Sequence, residues 1–419
     1  MICSSLSLTL DEIPLDLVSI PRESLDLDGK ERSNLLPWNG QFSPQLVEVL
    51  LRTFSSPGNR VCDPFLGSGT VLCESARRGF SACGAEINPA AFQMASTYRL
   101  INMPPMDRTR MIQQVQSGLF EAIPEHRPLF GAGPPADPIE LQRVLSEAYH
   151  SHSNEHGRHL FGALIVLLDF FKPGLTPSRV YSTWDKLKEL VTALPHSKEA
   201  IELAQADARA MPFTNASVDL VLTSPPYINV FNYHQHYRRS MESIGWDLLR
   251  VARSEIGSNR KHRGNRFLTV IQYCLDMADA LAEMKRVLRP NGRCILVMGR
   301  ESNVRKTAFS NGAIIAALAA FSVGLTPAVR QERAFKNKFG NVIYEDILHF
   351  INDGAGTNQV PPGDIARRAL EDAVDRAPAD SQADLREALA GHEAVEPSPL
   401  FDIESAEPRK HWTIGTRSV

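Results

Sequence analysis

Between Arg60 and Asn88 the chain reads as a strand, a glycine turn, a helix, a second strand and a new helix start. Few folds accommodate that order. Arg60-Val-Cys-Asp-Pro-Phe65 has the content of a short buried strand and runs into Leu66-Gly-Ser-Gly-Thr70. Without a Cβ, Gly67 and Gly69 let the backbone turn sharply and bring free N–H groups close to a ligand at a helix start. That helix is predicted to reach about Arg78, followed by a strand at Ser81 to Glu86 and a helix opened by Asn88-Pro89. Strand–helix–strand units of this kind call for a parallel sheet with helices on its faces. Both strands end near a carboxylate, Asp63 before the glycines and Glu86 at the second tip, where ribose hydroxyls would be gripped. Two nucleotide readings weaken: position 72 is Leu where the NAD fingerprint wants Gly or Ala, and no Gly-Lys-Ser/Thr is present for a P-loop.

The same alternation predicts the rest of the sheet. Upstream, Ser43 precedes Pro44 as an N-cap and Leu46, Val47, Val49, Leu50 and Leu51 supply the apolar face of a helix. Residues 103–200 interrupt the pattern with Pro-rich sequence, a helix near Pro138 to His150 and an apolar stretch at Leu160 to Phe171. The pattern resumes with a strand at Ile201 to Ala206, Asp207 at its end, and a strand Val218 to Thr223 running into Ser224-Pro-Pro-Tyr227. A helix from about Phe267 to Leu288, the turn Arg289-Pro-Asn-Gly292, a strand Cys294 to Met298, a helix Asn311 to Leu325 and a strand Tyr344 to Phe350 complete the reading. The expected fold is α/β, a doubly wound and mostly parallel sheet. It is flanked by an N-terminal extension (1–35), a helical insert (103–200) and a C-terminal tail (352–419).

Composition excludes several classes. Hydrophobic residues at 43% and charged residues at 22%, with Gly 26 and Pro 28, rule out collagenous or wholly disordered chains. The longest apolar stretches fall short of the roughly 20 residues a membrane span needs. The first residues lack a basic region and a continuous apolar core, so a cytoplasmic protein without a secretory signal is expected. The six cysteines form no CxxC pair and none follows a proline. A Pro-Cys nucleophile for attack on pyrimidine C5 therefore has no candidate.

Thr223-Ser-Pro-Pro-Tyr227 is the sharpest feature, because two prolines stiffen a loop that projects a hydroxyl, a free carbonyl and an aromatic ring into one volume. With Phe65-Leu-Gly-Ser-Gly-Thr70, it resembles the FxGSGT and SPPY motifs of the S-adenosyl-L-methionine (SAM)-dependent DNA amino-methyltransferases, the N4-cytosine and N6-adenine group. Phe42-Ser-Pro44 resembles the start of that family's upstream cofactor helix. The likeness runs from Leu36 to Phe350 apart from the insert and implies the Rossmann-like class I methyltransferase fold. Residues 36–102 would form the SAM-binding half and 201–351 the catalytic half.

The resemblance implies that Asp63, Pro64, Phe65, the backbone of Gly67, Ser68, Gly69 and Thr70, Glu86, Asp207 and Thr223 hold SAM, with Phe42 and Ser43 closing over its methionine end. It implies catalysis by Ser224, Pro225, Pro226 and Tyr227: the Ser224 hydroxyl and Pro225 carbonyl accept from the exocyclic amine of a flipped base, and Tyr227 stacks on that base. Serine at 224 is, within the family, more typical of N4-cytosine enzymes, and adenine N6 stays open. So do an RNA guanine-N2 methyltransferase and a non-catalytic SAM- or DNA-binding regulator.

A net charge of -3 conceals a segregation of charge. From Tyr233 to Arg266 eight basic residues face three acidic ones, and from Asn352 to Val419 seven basic residues face thirteen acidic ones. The basic stretch, directly after the SPPY loop, is read as an exposed loop that neutralises the phosphates of double-stranded DNA, with Tyr233, Arg238, Arg239, Arg260, Lys261 and Arg263 in contact. Phe231, Tyr237 and Trp246 would join Tyr233 in touching bases or filling the gap left by flipping. The acidic tail shows no strong apolar face. It is read as disordered, as short helices between Ile365 and Leu389, or as returning to the core through His411-Trp412. His150, His152, His156 and His159 are read as a solvated or DNA-facing surface and no metal is expected. A restriction or defence-system partner is a further expectation.

Overall fold

The computed structural model describes residues 10–27, 32–123, 137–228, 233–257, 261–262, 264–336, 340–354, 356 and 360–403. Its centre is a seven-stranded sheet. In chain order the strands are β1 (Arg60–Asp63), β2 (Ser81–Ala85), β3 (Ile201–Ala204), β4 (Val218–Thr223), β5 (Leu288–Gly299), a separate β6–β7 hairpin (Glu301–Val304, Thr307–Ser310), β8 (Thr326–Lys336) and β9 (Val342–Ile351). The sheet order is β3-β2-β1-β4-β5-β9-β8. β1, β2, β3, β4 and β5 pair in parallel: Cys62 lies opposite Cys83 on one side and Val221 on the other, and Leu222 lies opposite Ile295. β9 runs antiparallel to both β5 and β8. Strand order reverses between β1 and β4, which opens a crevice at their C-terminal tips.

Alternation along the strands explains why both faces are covered. Val61, Leu220, Leu222, Ile295 and Val297 bury against one helical layer, and their neighbours Cys62, Val221, Cys294, Leu296 and Met298 against the other. The first layer holds α2 (Pro44–Phe54), α3 (Thr70–Arg77) and α4 (Pro89–Ser96), after the short α1 (Arg22–Asp26). It continues into the insert, whose helices are α5 (Pro105–Ala122), α6 (Pro138–Ser151), α7 (Glu155–Leu168) and α8 (Pro177–Thr192). The insert shares this core through Val115, Leu145, Phe161 and Trp184. Two short helices follow β4, α9 (Arg238–Ser243) and α10 (Leu248–Val251). The opposite layer is built on α11 (Leu268–Val287), α12 (Asn311–Ala317), α13 (Pro362–Glu371) and α14 (Gln382–Ala390).

Several expectations are corrected. The Arg289–Gly292 turn lies inside β5 as a bulge: pairing with β4 jumps from Leu288 to Arg293, and Asn291 takes a positive φ while its N–H donates to the Asn352 carbonyl. The helix expected to reach Leu325 ends its regular part at Ala317 and continues as a wider turn to Val323. β8 was not predicted; Arg330, Glu332 and Arg333 mask its strand pattern, yet β9 satisfies its whole length. The tail does have an apolar face, because α13 and α14 bury Ile365, Ala366, Leu370, Leu385 and Ala388. His159 is a buried residue against Gln93 rather than a surface one.

Candidate cofactor and substrate site

β1 ends at Asp63, and the chain turns over Gly67 and Gly69, both at positive φ. The close approach is real: a Cβ on Gly69 would lie 2.6 Å from Tyr98 Cδ2, and one on Gly67 3.1 Å from Trp38 Cδ1. Asp63 is buried, with Oδ1 accepting from the Thr223 hydroxyl at 2.5 Å and from the Phe65 N–H at 3.1 Å. Burial pushes its carboxyl up to about 7, against the lowering effect of those two donors. At the β2 tip Glu86 accepts from the Gly67 N–H at 2.8 Å and the Asn88 N–H at 2.7 Å. Burial also raises this carboxyl to about 7, and the charges of Asp63 and Glu255 add to the shift. Asn88 then caps α4 through Ala90 N–H.

These groups surround one cavity at the reversal point of the sheet. Of the residues expected to hold a cofactor, it is lined by Phe42, Asp63, Pro64, Phe65, Gly67, Thr70, Glu86 and Asp207; Ser224 and Pro226 join them from the SPPY loop. Ser43, Ser68, Gly69 and Thr223 stand behind the wall. Ser68 Oγ donates to Gln41 Oε1 at 2.8 Å, Gly69 starts α3, and Thr223 holds Asp63. Pro225 is buried beneath the loop, and the ring of Tyr227 lies on Gly299, whose added Cβ would be 3.2 Å from Tyr227 Cε2. Burial raises the Tyr227 phenol, and hydrogen bonds to Ser224 and the Gly299 backbone oppose that shift.

Asp207 lines the cavity with its carboxylate already engaged. Arg209 binds Oδ1 through Nε at 2.9 Å and Oδ2 through Nη2 at 2.7 Å, and the Phe401 N–H donates to Oδ2 at 3.0 Å. The other side of the buried guanidinium reaches Asp276 at 2.8 Å and the Ser398 carbonyl at 2.7 Å. Asp276 in turn accepts from the Ser398 N–H and hydroxyl, both at 2.7 Å. The tail thus returns to the core through Ser398–Phe401; His411-Trp412 lies outside the described residues.

Sequence reasoning missed Trp38, Ile87, Asn88, Ser254, Glu255 and Ile256, which also line the cavity. Trp38 carried a usable signal, an aromatic just before Phe42; Glu255 carried none, because it sits in the basic stretch. That stretch is not the exposed loop expected. Ser240, Met241, Ile244, Trp246, Leu248 and Val251 are buried, since α9 packs on α4, α6 and α7 and α10 packs on α9. Tyr233 faces the cavity and stacks on Trp38 with centroids 5.9 Å apart and planes 10° apart, and Tyr237 stacks on the same indole at 6.3 Å. Arg238 pairs with Glu242 at 2.7 Å, Arg239 is exposed, and Lys261 reaches Glu396 of the tail at 3.3 Å. Arg260, Arg263 and Phe231 lie outside the described residues. Phe171, shortly after α7, is 82% exposed, and the N–H of its neighbour Phe170 donates to Ser240 Oγ.

Among the described residues no group of three or more His, Cys, Asp or Glu could hold a metal ion, and no helix is long and apolar enough to cross a membrane. Cys62, Cys73, Cys83, Cys274 and Cys294 are buried free thiols.

Sheet order, glycine turn and carboxylate-tipped strands together define a doubly wound α/β fold with its ligand crevice at the β1/β4 reversal point. Parts of the chain are similar to known proteins. Residues 24–97 match the family model described as DNA methylase (N6_N4_Mtase). The Type II methyltransferase M.MjaII of Methanocaldococcus jannaschii is 39% identical over 67 residues, which are 15% of this chain and 13% of that protein. The Type II methyltransferase M.BsoBI of Geobacillus stearothermophilus is 24% identical over 275 residues, 52% of this chain and 53% of that protein. The matched stretches thus span about half, or less, of these relatives. A solved SAM-dependent methyltransferase from Methanosarcina mazei is 12% identical with a TM-score of 0.33, over 72% of this chain and 96% of that one. Over these stretches the chain is similar to DNA methylases, and the likeness does not extend over the whole chain.

Proposed function

We propose that this protein binds SAM in the cavity described and transfers its methyl group to the exocyclic amine of a base flipped out of double-stranded DNA, with cytosine N4 as the target. One observation carries the reading: the Gly67–Thr70 turn and Glu86 share a single cavity with Ser224 and Pro226 of the SPPY loop. The lining suits the cofactor chemically. Phe65, Ile87, Ala208 and Ile256 offer apolar walls for a purine, Glu86 offers acceptors for a diol, and Asp63 offers a buried carboxylate for an ammonium. When bound, SAM supplies an electrophilic methyl on a sulfonium.

The chain's own work is positioning. Thr223 and the Phe65 N–H hold Asp63, and the backbone N–H groups of Gly67 and Asn88 hold Glu86, so neither carboxylate has to reorganise when a ligand arrives. Tyr273 OH donates to the Pro226 carbonyl at 3.1 Å, which braces the loop from α11. Ser224 Oγ and the Pro225 carbonyl accept the two amine hydrogens, turning the nitrogen lone pair out of conjugation and toward the cavity. Serine at 224 is the feature that favours cytosine. The exposed Arg239, Arg250 and Arg253 lie on the segment directly after the loop and would meet phosphates.

The test is incubation with labelled SAM and unmodified DNA or RNA in parallel, followed by mass spectrometry of the nucleosides. N4-methylcytosine in DNA is expected. N6-methyladenine would keep the chemistry and overturn the base, and label in RNA alone would overturn the substrate. Ser224→Ala is expected to lower turnover by about 10²- to 10³-fold while SAM binding is retained.

A further inference from the structure

Glu255 is a carboxylate on the cavity wall that no motif accounts for. It is buried and lines the same cavity as Glu86 and Ser224, and its Oε2 lies 2.8 Å from Nδ1 of His234, which is itself fully buried. The segment is tied to the reacting end: two residues on, a Cβ at Gly257 would come within 2.7 Å of the Tyr227 carbonyl oxygen. Among the described residues, no Lys, Arg or His lines the cavity, whereas four carboxylates do. Their charges are differently committed. Asp207 is matched by Arg209, and Asp63 and Glu86 are held by donors of the floor. Glu255 alone comes from the covering segment.

We propose that Glu255, positioned by His234, faces the sulfonium end of the bound cofactor and makes the cavity distinguish the charged methyl donor from its neutral thioether product. This deepens the function proposed above and rests on it. The donor carries one more positive charge than S-adenosylhomocysteine: when the sulfur–carbon bond breaks its electron pair stays on sulfur, the amine lone pair forms the methyl–nitrogen bond, and the positive charge passes from sulfur to the amine nitrogen, which releases a proton to water. A carboxylate near that sulfur loses its attraction at the same moment, so transfer itself loosens the product. Burial and the Glu255 charge both hold the Glu86 carboxyl up, and a cation between the two walls relieves that repulsion.

The experiment is calorimetric binding of SAM and S-adenosylhomocysteine to wild-type protein and to Glu255→Gln, with thermal melting to confirm the fold. The variant is expected to bind SAM about tenfold more weakly and the thioether within about twofold of wild type. An analogue with an amine in place of the methylsulfonium should follow SAM, which separates charge from shape. Glu255→Asp keeps the charge and should keep the preference, and His234→Ala should shift the ratio in the same direction as Glu255→Gln. Equal losses for both ligands, or none, would overturn the proposal while leaving SAM binding intact. Wild-type protein that binds neither ligand would overturn the cofactor reading as well.

Discussion

Asp63, Gly67 and Glu86 reach the cavity from two neighbouring parallel strands and the turn between them, whereas Tyr233 and Glu255 arrive from parts of the chain far from that turn and the Ser398–Phe401 segment backs Asp207 from behind the wall. The first set is the floor and the second the cover. In the floor each functional group is held by a residue close by in sequence or on the next strand: Asp63 by Phe65, Glu86 by Asn88 and Gly67. In the cover the supports are remote: Tyr233 rests on Trp38, and Arg209 joins Asp207 to α11 and to the tail. A floor of this kind tolerates little change at its own positions. The cover can be undone from a distance.

The sharpest break in the floor is Gly69→Val. At φ +90 with Tyr98 Cδ2 2.6 Å from the added Cβ, the substitution combines backbone strain with a clash, and loss of cofactor binding with extensive unfolding by circular dichroism is expected. Gly58→Ala is the control, because its φ is also positive with nothing within 4 Å, and it should cost only about 1 kcal/mol.

For the cover, Arg209→Met leaves Asp207 and Asp276 buried without their cation and is expected to cost about 3–5 kcal/mol in denaturant unfolding. The remote support predicts a second signature, increased proteolysis near residues 392–403 at denaturant concentrations where the sheet stays folded. A variant that unfolds in one step with no local cleavage would show that floor and cover are a single unit.

A smaller effect separates the two regions by pH. Asp63 and Glu86 have folded pKa values raised to about 7, so the ligand-free folded protein binds protons near pH 5–6 that the unfolded chain has released. Their contribution to stability is therefore greatest below the ordinary carboxylate range and is lost as pH rises through 7. Asp63→Asn should flatten the fall in melting temperature between pH 5.5 and 8. SAM affinity should move oppositely, rising through the same window as the carboxylates ionise. The smallest effect belongs to Lys261–Glu396, an exposed pair; Lys261→Ala should change the melting temperature by no more than about 2 °C.

The contrast also separates what could be read beforehand from what could not. β1, β2 and β4 and the starts of α2, α3 and α4 were legible because apolar runs, two glycines and the Asn88-Pro89 cap are local signals. The Asp63–Glu86–Ser224 grouping was legible as strand tips of one sheet edge. β8 was hidden by Arg330, Glu332 and Arg333, which lie among charged partners on β9 such as Glu345 and Asp346. The basic stretch misled because its charge is a property of composition, while its burial depends on α9 packing on α4 and α7 and on Met241, Trp246 and Leu248 joining one core cluster.

By itself, then, the amino-acid order determined the wound sheet, the glycine turn and the likeness to DNA amino-methyltransferases, since each rests on periodicity or on residues a few positions apart. Tertiary structure alone decided that Trp38 and Tyr233 close the cavity, that Asp207 spends its carboxylate on Arg209 and the tail, and that Glu255 joins the wall. Apart from the Asp207–Arg209 pair, those contacts join residues tens to nearly two hundred positions apart. Their pairing depends on which helices cover which face of the sheet, and no local pattern in the chain encodes that choice.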